Sequence, residues 1–125
     1  MHFCKTKRGQ DSFIYYYPYL VHDIQDDTIF KTAYIHYYMD VSEVVLLYLY
    51  VAPSHRGSGL GTRLMKEFFD HLQIHYKKQR IEIKLDDVSN RFGKEENIYR
   101  KFGFQYCEVD EEGPCGPEMS LEISF

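Results

Sequence analysis

The chain has 125 residues, 44% hydrophobic and 27% charged, with a formal net charge of -4. That describes one small soluble domain with a single core, and the acidic balance argues against non-specific nucleic-acid binding. No apolar run approaches the roughly 20 residues of a membrane span. Met1 to Arg8 lack the hydrophobic centre of a secretory signal, and Cys4, Cys107 and Cys115 show no metal-ligand spacing, which favours a reducing, cytoplasmic compartment without a metal.

Residues 1–11 read as a basic, poorly defined segment holding at most a short first strand. Ser12 to His22 carries Tyr15, Tyr16, Tyr17 and Tyr19 and reads as a strand, with Pro18 marking an edge or bulge. Thr28 to Met39 reads as a second long strand. The turn Asp40-Val-Ser42 then folds it into Val44 to Val51 as an antiparallel meander. Val44 to Val51 is an unbroken apolar and aromatic run, the pattern of a strand buried on both faces. Pro53 stops it, because proline cannot donate to a ladder. Leu60, Leu64, Phe68 and Leu72, with Met65 and Phe69, predict a helix over 62–73. His75 to Arg80 is a polar exit. Ile81 to Leu85 alternates as a strand, parallel to the central one because a helix crosses over to it. Glu95 to Phe102 reads as a short helix ended by Gly103 in a left-handed cap. Phe104 to Val109 and Glu118 to Phe125 are two final strands.

Between the central strand and the long helix, Gly57, Gly59 and Gly61 alternate through a loop beside Arg56. A strand, a glycine loop and a helix start aim free backbone N–H groups and the positive end of a helix dipole at one spot, which suits phosphate. A Walker loop is excluded, since Gly61-Thr62-Arg63 does not supply Gly-Lys-Ser/Thr. A dinucleotide fingerprint fits poorly, because its third glycine comes one residue early and Ala52 to Arg56 separate strand from loop. Asp86 lies where a ribose-binding acid falls, so that alternative stays open.

Arg56-Gly57-Ser58-Gly59-Leu60-Gly61 resembles the Arg/Gln-x-x-Gly-x-Gly/Ala signature of the GNAT acyltransferase superfamily, and Leu49 to Pro53 resembles that family's strand ending in Val-x-Pro. Asn97-Ile-Tyr99-Arg-Lys-Phe-Gly103-Phe104 resembles its later Tyr-x-x-x-Gly-Phe motif. The resemblance covers about Ser12 to Phe125 and implies one GNAT-like α/β domain over 1–125. Its mixed sheet would hold an antiparallel meander plus a parallel central pair, with two main helices packed on it. The cosubstrate implied is acetyl-CoA, its pyrophosphate held by Arg56, Gly57, Ser58, Gly59, Leu60, Gly61 and Thr62. Its pantetheine arm would pair with the backbone of Leu49, Tyr50 and Val51, as an added strand would. Tyr99 would be the catalytic acid at the sulfur. Asn90 is carried over as a coenzyme contact although it stands nine residues before Tyr99 (99 - 90) where the family has seven. Glu43 precedes Arg56 by thirteen residues (56 - 43), the spacing of the general base in the family's histone acetyltransferases. The equal alternative is a solvated strand-end residue.

The activity implied is transfer of an acetyl group to a primary amine by direct attack. Typical members place two helices before the meander, and residues 1–11 cannot hold them. An open groove, or one completed in a homodimer, is therefore expected, and a protein segment is favoured as acceptor. Acidic residues after Lys101 could steer a cationic amine, though an ordinary solvated face explains them as well. Two other classes stay open: a non-catalytic coenzyme A-binding regulatory domain, and an interaction protein using its tyrosine-rich meander.

Overall fold

The structure is a computed structural model, and it describes residues 2–17, 32–86, 98–106 and 118–125. Its strands are β1 (His2–Arg8), β2 (Asp11–Tyr17), β3 (Ala33–Met39), β4 (Glu43–Val51), β5 (Arg80–Asp86), β6 (Gln105–Tyr106) and β7 (Glu118–Ser124), and its helices are α1 (Leu60–His75) and α2 (Ile98–Lys101). The strands form one mixed sheet in the order β1-β2-β3-β4-β5-β7-β6. All neighbours are antiparallel except β4 and β5, which run parallel. This is the architecture expected from the sequence, a meander on one side and a parallel central pair.

The N-terminal segment corrects the expectation of an ill-defined stretch. It is a seven-residue strand paired along its whole length with β2. The turn is only Gly9-Gln10, and Gly9 takes the positive φ of 63° that a two-residue hairpin asks of its first turn residue. No helix separates β1 from β2.

One face of the sheet carries the main core. Along β3, Ala33, Ile35 and Tyr37 are buried while Tyr34, His36 and Tyr38 are only partly so, which is the period of two a pleated strand imposes. Against them α1 lays Leu60, Leu64, Met65, Phe68 and Leu72, all buried. Truncating one such side chain, Leu64 for instance, costs roughly 2–5 kcal/mol. Phe68 meets Tyr37 edge-on with ring centroids 4.9 Å apart, and burial pushes the Tyr37 hydroxyl up to about 12. The helix runs two residues past the predicted end on each side. Tyr76, expected in a polar exit, is buried and donates its hydroxyl to the carbonyl of Asp40, which ties the end of α1 to the β3–β4 turn. No helix among the described residues is long and apolar enough to cross a membrane.

The opposite face holds a smaller aromatic cluster. Phe13 and Tyr15 are buried with Cys4 and Tyr34 against them, and Phe13 stacks on His36 at 4.5 Å. The His36 imidazole also contacts the Asp11 carboxylate at 3.0 Å.

β4 departs from the sequence reading in an informative way. Tyr37 pairs with Leu46 but His36 pairs with Tyr48, so Leu47 is an extra residue, a β-bulge. Before it, Val44 and Leu46 point into the core; after it, Leu49 and Val51 do. Leu47 and Tyr48 are left 42% and 44% exposed, so the strand is not buried on both faces. An unbroken apolar run hides the change of side-chain parity that a bulge introduces.

Candidate functional site

Three local features build the site, and the first is a gap. β5 follows β4 only from Glu43 to Leu46, opposite Glu82 to Leu85. Beyond Leu46, β4 continues to Val51 with β3 alone beside it among the described residues. The bulge sits where the described pairing with β5 ends, and bulges often re-aim a strand at such a point.

The second feature is the loop. Pro53 opens a 3-10 turn over Pro53–His55, where the proline's missing N–H costs nothing. Ala52 is held by its N–H to the Thr32 carbonyl at 2.7 Å, and the Ser58 hydroxyl donates to the His55 carbonyl at 2.6 Å. Gly57 and Gly59 both sit at φ 81°, a region disfavoured for residues with a Cβ, although no atom stands within 4 Å of where that Cβ would be. Their requirement is thus conformational, and the space above them is open. Gly59 caps α1 without any side-chain hydrogen bond, so the helix presents its first amides and the positive end of its dipole to that space. Gly61 differs: a Cβ there would lie 3.2 Å from Ile98 Cδ1 and 3.7 Å from Val51 Cγ2. It lets α2 and β4 close on the first turn of α1.

The third feature is α2. Tyr99 is 7% exposed and packs edge-on to Phe104, with centroids 6.2 Å apart. Its carbonyl accepts the N–H groups of Phe102 and Phe104, both at 3.1 Å, and Gly103 at φ 97° turns the chain there, as the predicted left-handed cap requires. The four residues of α2 are the described part of the helix expected over Glu95 to Phe102.

Together these enclose an open cavity of about 450 Å³, within the usual range for small-ligand sites. Leu49, Tyr50, Val51, Arg56, Gly57, Gly59, Leu60, Gly61, Thr62 and Tyr99 all line it. Ser58 lies within the same loop, its side chain turned back on His55. Six lining residues had not been singled out: Leu46, Leu47, Tyr48, His55, Ile98 and Lys101. Nothing in a continuous apolar run marks the bulge that brings in Leu47 and Tyr48. Lys101 had a signal, its i+3 spacing from Ile98 on one helix face. The described lining contains Arg56, His55 and Lys101 and no Asp or Glu. The Arg56 guanidinium is fixed by its Nε–H, which donates to the Val51 carbonyl at 3.0 Å. On the sheet face beside Tyr48 and Tyr50, Tyr34 lies 5.9 Å and 5.7 Å from their rings. Burial first, and then these two neighbours, push its hydroxyl above the ordinary tyrosine value.

Glu43 is not brought to the lining. It starts β4, three residues or about 10 Å of strand before Leu46. Its carboxylate is 40% exposed with the Lys84 ammonium 3.6 Å away. That environment is partly solvated and charged rather than dry. Tyr34 and Tyr48 stack on each other further along the sheet. Asn90 lies outside the described residues, as do Cys107 and Cys115.

Comparison with known proteins agrees with this geometry. The profile of the acetyltransferase (GNAT) domain matches residues 16–106. Among solved structures, the chain is similar to GCN5 from Tetrahymena, with a TM-score of 0.60 and 17% identity over 93% of this chain and 70% of that one. It is similar to the ribosomal-protein-S18-alanine N-acetyltransferase from Escherichia coli, with a TM-score of 0.57 and 15% identity over 95% and 73%. It is also similar to the PaiA N-acetyltransferase from Thermoplasma acidophilum, solved in complex with coenzyme A, with a TM-score of 0.56 and 16% identity over 93% and 62%. No curated protein matches. At these identities the solved structures speak for the fold, while the domain profile covers well over half of the sequence, and the chain belongs to the GNAT acetyltransferase family.

Proposed function

We propose that the protein is an acetyl-CoA-dependent N-acetyltransferase that moves the acetyl group directly onto a primary amine. The observation that carries this reading is the cavity beyond the described β4–β5 pairing, lined by the uncapped start of α1 and by Tyr99. The residues fit the cosubstrate on chemical grounds. Its pyrophosphate suits the loop from Arg56 to Thr62, where no described carboxylate repels it. Its amide-rich pantetheine arm suits the tail of β4, Leu49 to Val51, which lacks β5 as a neighbour.

In this scheme the lone pair of a neutral amine forms the N–C bond at the thioester carbonyl, and the C=O pair moves onto oxygen. A bulge leaves its extra residue outside the ladder, which supports backbone near Leu47 as the hydrogen-bond donor to that oxyanion in this scheme. Collapse breaks the C–S bond, and the departing thiolate takes the Tyr99 hydroxyl proton. The ammonium on the product loses its proton to water or to Glu43, and Tyr99 is reprotonated from solvent. Burial in the cavity wall supports Tyr99 in its role; Glu43, further off, reaches an amine only through water or a long acceptor side chain.

The acceptor we favour is a lysine-bearing protein segment rather than a small amine. The direct β1–β2 hairpin, with a two-residue turn and no room for the helices that typical members place before the meander, supports an unwalled acceptor side. The same hairpin favours a second reading, a coenzyme A-binding domain without turnover. Calorimetry with acetyl-CoA, followed by thiol release across polyamines, amino sugars, aminoglycosides and lysine peptides, separates the two. Binding with turnover supports the transferase; binding with no turnover on any acceptor supports the second reading; no binding rejects both.

A further inference from the structure

We infer that the outer edge of β1 is a docking site for an extended acidic protein segment, which joins the sheet as a further strand. This surface is separate from the cavity, and the inference does not rest on the coenzyme reading. β1 is the terminal strand of the sheet, and among the described residues β2 is its only neighbour. An antiparallel strand turns every second N–H and C=O away from its partner, so β1 presents a row of them outward. Such edges are normally blunted by shortness, proline, a bulge or charge. β1 has seven residues, no proline, and an unbroken register from His2 opposite Tyr17 to Arg8 opposite Asp11. Charge is the remaining device, and it has one sign. Residues 1–10 hold Lys5, Lys7 and Arg8 and no acid, in a chain with a net charge of -4.

Phe3, Lys5 and Lys7 alternate onto one face of the strand, the face that carries α1. Lys5 stands opposite Ile14 and Lys7 opposite Ser12, so β2 offers neither of them a counter-charge. Both are exposed, and neither makes an ion pair among the described residues. The charge of Lys5 reaches α1, where, after burial, it helps to hold the His71 imidazole below its ordinary value. This pattern selects the occupant. Antiparallel pairing of two copies about Lys5 sets Lys5 against its counterpart, and pairing about Thr6 sets Lys5 against Lys7. Like charges directly opposite destabilise a sheet, which disfavours a second copy of the chain. A segment with Asp or Glu at positions two apart sets its acids against Lys5 and Lys7, while backbone bonds supply affinity along the edge. Phe3, half-buried and tilted against Tyr16 with ring centroids 5.9 Å apart, offers an apolar contact two residues further along.

The test is calorimetry on the full chain with four blocked peptides. One is Val-Thr-Glu-Thr-Glu-Thr-Val, and a second replaces both Glu with Lys. The other two are the acidic peptide N-methylated on one or the other set of alternate residues, which blocks one strand edge and keeps the charge. We expect the acidic peptide to bind and the basic one to fail. One N-methylated set should abolish binding and the other leave it. In Lys5→Glu/Lys7→Glu the preference should invert, with the acidic peptide weakened about tenfold, the scale of two cross-strand charge pairs. Lys5→Gln/Lys7→Gln should lose the preference without inverting it. No binding of the acidic peptide by the wild type, or equal binding of the acidic and basic peptides, overturns the inference. Equal binding of both N-methylated peptides does so too, because the attraction is then charge without strand pairing. A wild type that self-associates in sedimentation, with its β1 amides protected from exchange, also overturns it, since a second copy then fills the edge.

Discussion

The two ends of β4 are built on opposite principles. At its C-terminal end, Val51 to Thr62 build the candidate site largely from backbone: positive-φ glycines, an uncapped helix start and a strand tail beyond the described pairing with β5. At its N-terminal end, Glu43 depends on side-chain surroundings and on elements from elsewhere in the chain, and finds Lys84 and solvent. A backbone site needs only local sequence, since glycine and proline positions set it directly. A side-chain site needs tertiary partners, which one sequence does not display.

The largest effect should come from the wall of the cavity. Tyr99→Phe keeps the ring against Phe104 and removes the proton donor, so kcat should fall roughly 10²–10⁴-fold with acetyl-CoA affinity unchanged. Full activity in single-turnover assays would return Tyr99 to a packing role. Next comes the loop. Gly59→Asp has room for its side chain but must accept φ 81°, a modest strain of about 1–2 kcal/mol. Its carboxylate would occupy the amides itself, and acetyl-CoA affinity should drop by about 100-fold or more. Thermal melting should still show a cooperative fold, and unchanged affinity would detach the loop from the coenzyme.

How far these residues could be read in advance follows the same division. The order of strands in the meander, the parallel pair, the buried stripe of α1 and the glycine loop were all legible, because period-two and period-3.6 patterns and glycine spacing are local. The β1–β2 hairpin was not, since Gly9-Gln10 is a weak turn signal inside a basic stretch. Nor was Tyr76 as an anchor: its partner is a backbone carbonyl 36 residues away, at Asp40. The bulge at Leu47 escaped because every residue from Val44 to Val51 is apolar or aromatic, so no alternation was there to break.

Smaller effects sharpen the contrast. Glu43→Gln should lower kcat/KM several-fold near neutral pH if Glu43 takes the amine's proton, and the deficit should vanish at high pH. The sign follows from the acceptor: an alkylamine with a pKa of about 10.4 is neutral unaided once pH approaches that value. A pH–rate profile that overlays the wild type assigns the proton to water. Gly61→Ala should have the least effect on stability, because the gain of up to about 1 kcal/mol in helix propensity offsets the push on Ile98. Activity should nevertheless fall a few-fold, since α2 carries Tyr99, and a kcat equal to wild type would show that Ile98 absorbs the change alone.

The difference between the two regions can be read in one experiment, backbone hydrogen exchange with and without saturating acetyl-CoA. We expect slower exchange in two segments, Leu47 to Val51 and Gly57 to Thr62, where the arm and the pyrophosphate cover amides. The β1–β2 hairpin, residues 2–17, should exchange at an unchanged rate. Protection confined to the hairpin, or no protection at the β4 tail and the glycine loop despite measured binding, would contradict the placement of the coenzyme.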